Sequence, residues 1–202
     1  MSSYKLTYFN MTGRAEPIRY MLSYAGIDFE DKRVSFEEWS SLKAEMPLGQ
    51  MPVLEIDGKI YNQSKSIYIY LGKKLNIAGD NYEEDYEINN AVDTMDDLKH
   101  PLTTWYFEKD ATTKETLKEK AFSKIDLLLG KLEETVKKNN GYFVNGKLTW
   151  ADLAFTAYND FLSNITGKNI ITNYPELQKL VKKIAEIPKI KAYLSKRPVT
   201  QV

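Results

Sequence analysis

Every strand-like run in this 202-residue chain lies before residue 62, and everything beyond about residue 84 is patterned for helix. Such a chain reads as a mixed α/β unit followed by an all-α one, because each pattern must bury its own apolar face. Tyr4-Lys5-Leu6-Thr7-Tyr8-Phe9 is a short β-prone run, closed by a polar loop from Asn10 to Gly13. From Ala15 to Ala25 the apolar residues Ile18, Met21, Leu22 and Ala25 follow helical spacing, with Pro17 in the first turn and Gly26 suited to the C-terminal cap. Asp28 to Val34 is a second candidate strand. Val53-Leu54-Glu55-Ile56, Asp57-Gly58 and Lys59-Ile60-Tyr61 read as a hairpin with a tight turn. Ser64 or Ser66 then caps a helix that runs to about Leu75. The order is β-α-β, an irregular segment, then β-β-α.

Between about Asn76 and Glu84 the pattern lapses into Gly, Asp and Asn, which places a linker at 79–83 between units 1–78 and 84–202. Past it, Tyr86 to Lys99 predicts one helix, which Pro101 interrupts or ends. Thr113 to Lys138 reads as one long helix, closed by Asn139-Asn140-Gly141. Thr149-Trp150-Ala151-Asp152 has capping-box spacing ahead of an apolar run, which assigns Asp152 to the fold rather than to catalysis. Pro175 and Pro188 each sit near the start of a further helix.

Composition removes whole classes of chemistry. The chain has no cysteine and a single histidine, His100, so no Cys/His zinc site and no cysteine nucleophile can be built. A Ser-His-Asp arrangement would have to use His100, and no G-x-S-x-G, P-loop or G-x-G-x-x-G string accompanies it. Any thiol chemistry must use a thiol brought by a ligand. Twenty-eight basic residues balance 28 acidic ones, so nothing points to nucleic acid or to an anionic membrane. No apolar run approaches a membrane span and no leader pattern opens the sequence, so the expected location is cytoplasmic.

Several strings resemble the sigma class of soluble glutathione transferases, and the resemblance runs the length of the chain. They are Tyr4 to Asn10 followed by Gly13-Arg14-Ala15-Glu16 and Ile18-Arg19-Tyr20; Pro47 to Leu54; Gln63-Ser64; Leu148 to Asp152; and Lys196-Arg197-Pro198. The resemblance implies a thioredoxin-like N-terminal domain, an all-helical C-terminal domain and a homodimer. The implied reaction is attack by glutathione on small electrophiles and lipid-peroxidation products. A glutathione-dependent prostaglandin-H D-isomerase and a non-catalytic role like that of the S-crystallins are the rivals, and prostaglandin-D synthesis or peroxidase activity could accompany the transferase as a secondary activity.

The resemblance also assigns residues. A free thiol titrates near ~8.5, so a hydroxyl donor must stabilise its anion at neutral pH. Tyr8 is given that role, with Arg14 adding positive field. Lowering the thiol by about two units requires roughly 2.7 kcal/mol, more than one ordinary hydrogen bond supplies. Glutathione would be held by Trp39, Lys43, Gln50, the backbone of Met51 before a cis Pro52, Gln63, Ser64 and, from the partner in the dimer, Asp97. The start of a helix at Ser64 suits a carboxylate. Phe9, Met11, Gly13, Arg14, Phe36, Asp96, Lys99 and Trp105 would line the electrophile pocket. Asp93, Asp96 and Asp97, at i, i+3 and i+4, put three carboxylates on one helical face, where Mg²⁺ or Ca²⁺ could bind across the two-fold axis.

Overall fold

In the computed structural model, β1 (Tyr4–Phe9) lies inside a four-stranded sheet of order β2-β1-β3-β4. Residues 2–200 and 202 are described. β1 runs parallel to β2 (Glu30–Val34) and antiparallel to β3 (Val53–Ile56), which pairs antiparallel with β4 (Lys59–Tyr61). Leu6 and Leu54 face each other across β1 and β3, and both are fully buried. The Asp57-Gly58 turn has left-handed φ values of 51° and 81°, the twist that a two-residue hairpin requires.

Between β1 and β2 the chain makes a 3-10 turn at Gly13–Ala15 and then α1 (Glu16–Ala25). Pro17 occupies the first turn, and Gly26 at φ 72° caps the end by donating its N–H to the Leu22 and Ser23 carbonyls. The segment after β2 is more ordered than its sequence suggests. Ser35 and Glu38 form a reciprocal capping box (Ser35 Oγ accepts from Glu38 N at 3.1 Å, Glu38 Oε2 from Ser35 N at 2.8 Å) that opens α2 (Phe36–Leu42).

α3 (Ser64–Lys74) starts as expected, but neither serine is its cap. The cap is Gln63, held at φ 65° and ψ 102°, and Ser64 is the first helical residue. Only Asn62 and Gln63 separate β4 from α3, and the chain turns there with Gln63 at positive φ.

The described chain forms two compact units, residues 1–76 with 187–202 and residues 77–186. In the first, α9 (Pro188–Leu194) packs against α1. Glu16 and Arg19, both fully buried, anchor that contact. Glu16 Oε1 accepts from Tyr193 Oη at 2.8 Å and Arg197 Nη1 at 2.7 Å; Glu16 Oε2 takes Arg19 Nη1 at 2.9 Å. Arg19 also reaches Asp31 and the Met11 carbonyl, so both buried charges are paired.

The second unit is helical throughout and built around α7 (Trp150–Thr166), thirteen of whose residues are buried. α4 (Tyr82–Phe107) differs from expectation, because it starts four residues earlier, at an Asn81 cap, and runs through Pro101. Burial of Met95, Leu98 and Leu102 on one face outweighs the hydrogen bond that Pro101 cannot donate. The predicted long helix is two, α5 (Ala111–Phe122) and α6 (Ile125–Lys138), broken at Ser123-Lys124. α8 (Pro175–Ala185) completes the unit, with Glu133 accepting the Glu176 and Leu177 N–H groups at its start. Among the described residues no helix is long and apolar enough to cross a membrane.

Candidate functional site

One cavity of about 400 Å³ in the first unit gathers most of the residues expected to hold glutathione. Its wall includes Phe9, Arg14, Trp39, Gln50, Met51, Pro52, Gln63 and Ser64. Met51-Pro52 is a cis peptide. Pro47, Leu48 and Gly49, from the Pro47–Leu54 string, and Asn62 complete the wall. Lys43 is exposed and lies along Gly49, outside the wall, at the end of α2. The start of α3 opens onto the cavity through Ser64, and the unfilled N–H groups of a first helical turn favour an anion there. Gln63 is strained at the same point, and such backbone outliers cluster at working sites.

Tyr8 lies one hydrogen bond behind this wall. Its Oη accepts the backbone N–H of Arg14 at 3.2 Å, so the hydroxyl proton is left to donate elsewhere. Arg14 therefore touches Tyr8 through its main chain, and its guanidinium adds positive field at the phenol. Burial pushes the Tyr8 phenol above its ordinary value, against the pull of the Arg14 N–H and of the Arg14 and Arg19 guanidiniums. At neutral pH Tyr8 is a hydrogen-bond donor rather than a base. Gly13, at φ 45°, makes the approach possible, since a methyl group on it would stand 2.8 Å from Tyr8 Oη.

Three residues expected around the electrophile have clear surroundings in this unit. Met11 and Gly13 are buried. Phe36 is 63% exposed and stacks on Phe9, ring centroids 4.8 Å apart, while Trp39 meets Phe9 in a T-shaped contact at 5.5 Å.

The residues expected from α4 belong to the second unit. Lys99 is buried, ion-paired to Asp96, with its Nζ 3.9 Å from the centre of the Tyr158 ring. Trp105 packs edge-on against Phe122 at 5.0 Å. Asp93 and Asp97 are exposed, whereas Asp96 turns toward Lys99. Among the described residues no three His, Cys, Asp or Glu side chains converge as a metal site, so within one chain the acidic triplet does not form one. Asp152 is structural, as its spacing implies. Its carboxylate accepts Phe143 N at 2.9 Å, Thr149 N at 2.7 Å and Thr149 Oγ1 at 3.0 Å, and burial raises it to about 6.

Two family models match the chain. "Glutathione S-transferase, N-terminal domain" covers residues 4–73, and "Glutathione S-transferase, C-terminal domain" covers residues 96–197. This chain belongs to the glutathione S-transferase family. The "Glutathione S-transferase" of Anopheles gambiae is 41% identical over 206 residues, across the whole of both chains. The hematopoietic prostaglandin D synthase of Gallus gallus is 36% identical over 208 residues, again across both. Among solved structures, the prostaglandin synthase D of Nilaparvata lugens superposes with a TM-score of 0.92 at 43% identity, covering 98% of this chain and 100% of that one. The thioredoxin-like sheet and the helical second unit are those of the glutathione S-transferase family.

Proposed function

We propose that this glutathione transferase binds the tripeptide in the 400 Å³ cavity and keeps its sulfur as thiolate through the Tyr8 hydroxyl. The observation that carries the reading is the Arg14 N–H on Tyr8 Oη, 3.2 Å away, which leaves the phenol's proton to donate and strengthens it as a donor. The γ-glutamyl end meets Ser64 and Gln63 at the start of α3, and the cysteinyl backbone pairs with Met51. Trp39 and Lys43 take the glycine carboxylate, and Gln50 closes the wall. The thiol proton leaves to solvent, and the sulfur lone pair then forms a bond to the electrophilic carbon. A leaving group departs with its electron pair, or an unsaturated carbonyl takes up a proton. The protein contributes position and field, and the ligand contributes the nucleophile.

The finer reading is a sigma-class, cytoplasmic, detoxifying homodimer, with residues 1–78 holding glutathione and 84–202 carrying the electrophile site and dimer contacts. Asp97, exposed on α4, reaches the partner's glutathione. A divalent cation, Mg²⁺ or Ca²⁺, would bind only where two copies bring their Asp93, Asp96 and Asp97 together. Prostaglandin-H isomerisation is the second activity, supported by relatives named for it.

Tyr8→Phe tests the central claim. Losing a hydrogen bond to an anion costs about 1.5–3 kcal/mol, so conjugation at neutral pH should fall roughly ten- to hundredfold. The pH profile should move to higher pH, and glutathione KM should change little. The same variant given prostaglandin H should lose isomerisation in parallel. An unchanged pH profile would remove Tyr8 from the mechanism.

A further inference from the structure

The Tyr8 hydroxyl is only as well oriented as the Arg14 N–H beneath it, and that N–H belongs to a three-residue 3-10 turn after a left-handed glycine. The Arg14 side chain is exposed, so it does not hold its own backbone in place. Two buried side chains do. On one side Arg19 Nη1 donates to the Met11 carbonyl at 2.9 Å, fixing the entry to the turn. On the other the hydroxyl of Tyr68, a fully buried residue of α3, donates to the Arg14 carbonyl. A tyrosine buried this deeply must satisfy its hydroxyl, and here the partner lies inside the catalytic turn.

Resting on the reading of Tyr8 above, we propose that Tyr68 is a positioning residue for thiolate stabilisation, acting through Arg14. It follows Ser64 by four residues and so stands one turn further along the same face of α3. One helix thus carries both the γ-glutamyl contact and the clamp on the turn that orients Tyr8. The order of contact is Ser64 at the ligand, Tyr68 on the Arg14 carbonyl, and the Arg14 N–H on Tyr8 Oη. Among 14 tyrosines, Tyr68 has no sequence feature that marks it for this work.

Tyr68→Phe removes one oxygen and keeps the buried ring, so the fold survives the change. A slack Arg14 N–H makes Tyr8 a poorer donor and raises the pKa of the bound thiol. The loss of one hydrogen bond's worth of alignment predicts an upward shift of about half to one unit. It would be read from the pH profile of kcat/KM and from the ultraviolet absorbance of bound thiolate. Below the midpoint kcat/KM should fall about three- to tenfold; at alkaline pH it should converge on wild type, with glutathione KM within about twofold. In a Tyr8→Phe background the second substitution should add no further shift, because the effect runs through Tyr8. A lower melting temperature with an unchanged profile, or a raised KM alone, would make Tyr68 merely structural and overturn the inference. If Tyr8→Phe shifts the profile and Tyr68→Phe does not, only this inference falls. If Tyr8→Phe itself leaves the profile unmoved, the Tyr8 reading fails and takes this one with it.

Discussion

Gly13→Ala separates strain from chemistry. The new methyl would stand 2.8 Å from Tyr8 Oη and 3.1 Å from Tyr8 Cε1, on a residue held at φ 45°. A left-handed alanine costs about 1–2 kcal/mol, and an overlap in a packed site costs about 1–3 more. Tyr8 is buried in the sheet and cannot retreat, so the turn must give instead. Moving the turn carries the Arg14 N–H away from Tyr8 Oη. Urea unfolding should therefore show a loss of about 2–5 kcal/mol. Conjugation near neutral pH should fall about tenfold, the worth of one aligned hydrogen bond. Gly58→Ala is the control, because φ there is 81° and no atom lies within 4 Å of the added methyl. It should lose about 1–2 kcal/mol of stability and keep wild-type activity. If Gly13→Ala behaves like Gly58→Ala in the activity assay, the close approach of Gly13 to Tyr8 does not serve catalysis.

Two further outcomes concern the second unit. Asp152→Ala strands three donors, the Phe143 and Thr149 N–H groups and the Thr149 hydroxyl, and should cost about 3 kcal/mol or more in urea unfolding. Because burial raises Asp152 to about 6, its ionisation weakens the wild-type fold as pH rises from about 4 through 6, and the alanine variant should lose that slope. Glu84 behaves in the opposite sense. It accepts the Asp80 N–H and the Asn145 amide at 2.9 Å each and pairs with Lys147 at 2.6 Å, which holds its carboxyl at about 2. Its contribution is therefore present above about 4.5 and lost as pH falls toward 2. The stability gap between wild type and Glu84→Gln should be full at pH 7 and less than half as large at pH 3, by urea midpoints.

The sheet was legible because its signals are local: alternation along residues 4–9 and an Asp-Gly turn between two apolar runs. α1 was legible through Pro17 and Gly26. The break between α5 and α6 was hidden because Ala121, Ile125 and Leu129 keep four-residue spacing straight across it. Pro101 misled because packing on both sides overrides a single missing donor. Ser35-x-x-Glu38 was a capping box open to inspection, and it marks the start of α2. In the candidate site, Ser64 and the 50–52 loop, named from family strings alone, line one cavity. The left-handed Gln63 and the Tyr68 clamp could not be named that way, since both follow from how separate segments meet. The acidic triplet on α4 shows what spacing leaves out. Helical spacing put the three carboxylates on one face, but Lys99 draws Asp96 aside.

The packing of α9 against α1 has a consequence for biosynthesis. Glu16 is fully buried, and two of its partners, Tyr193 and Arg197, are made about 180 residues after it. At the ~5–20 residues per second of translation, about 9–36 seconds pass before those two donors can reach the carboxylate. Until then Glu16 has Arg19 as its charge partner but its second oxygen, Oε1, lacks both of its donors, which disfavours early docking of α1. The unit that begins the chain is therefore completed last, after the intervening helices have left the ribosome. A ribosome stalled at residue 150 should display a protease-sensitive first unit, and one that has released the whole chain should not.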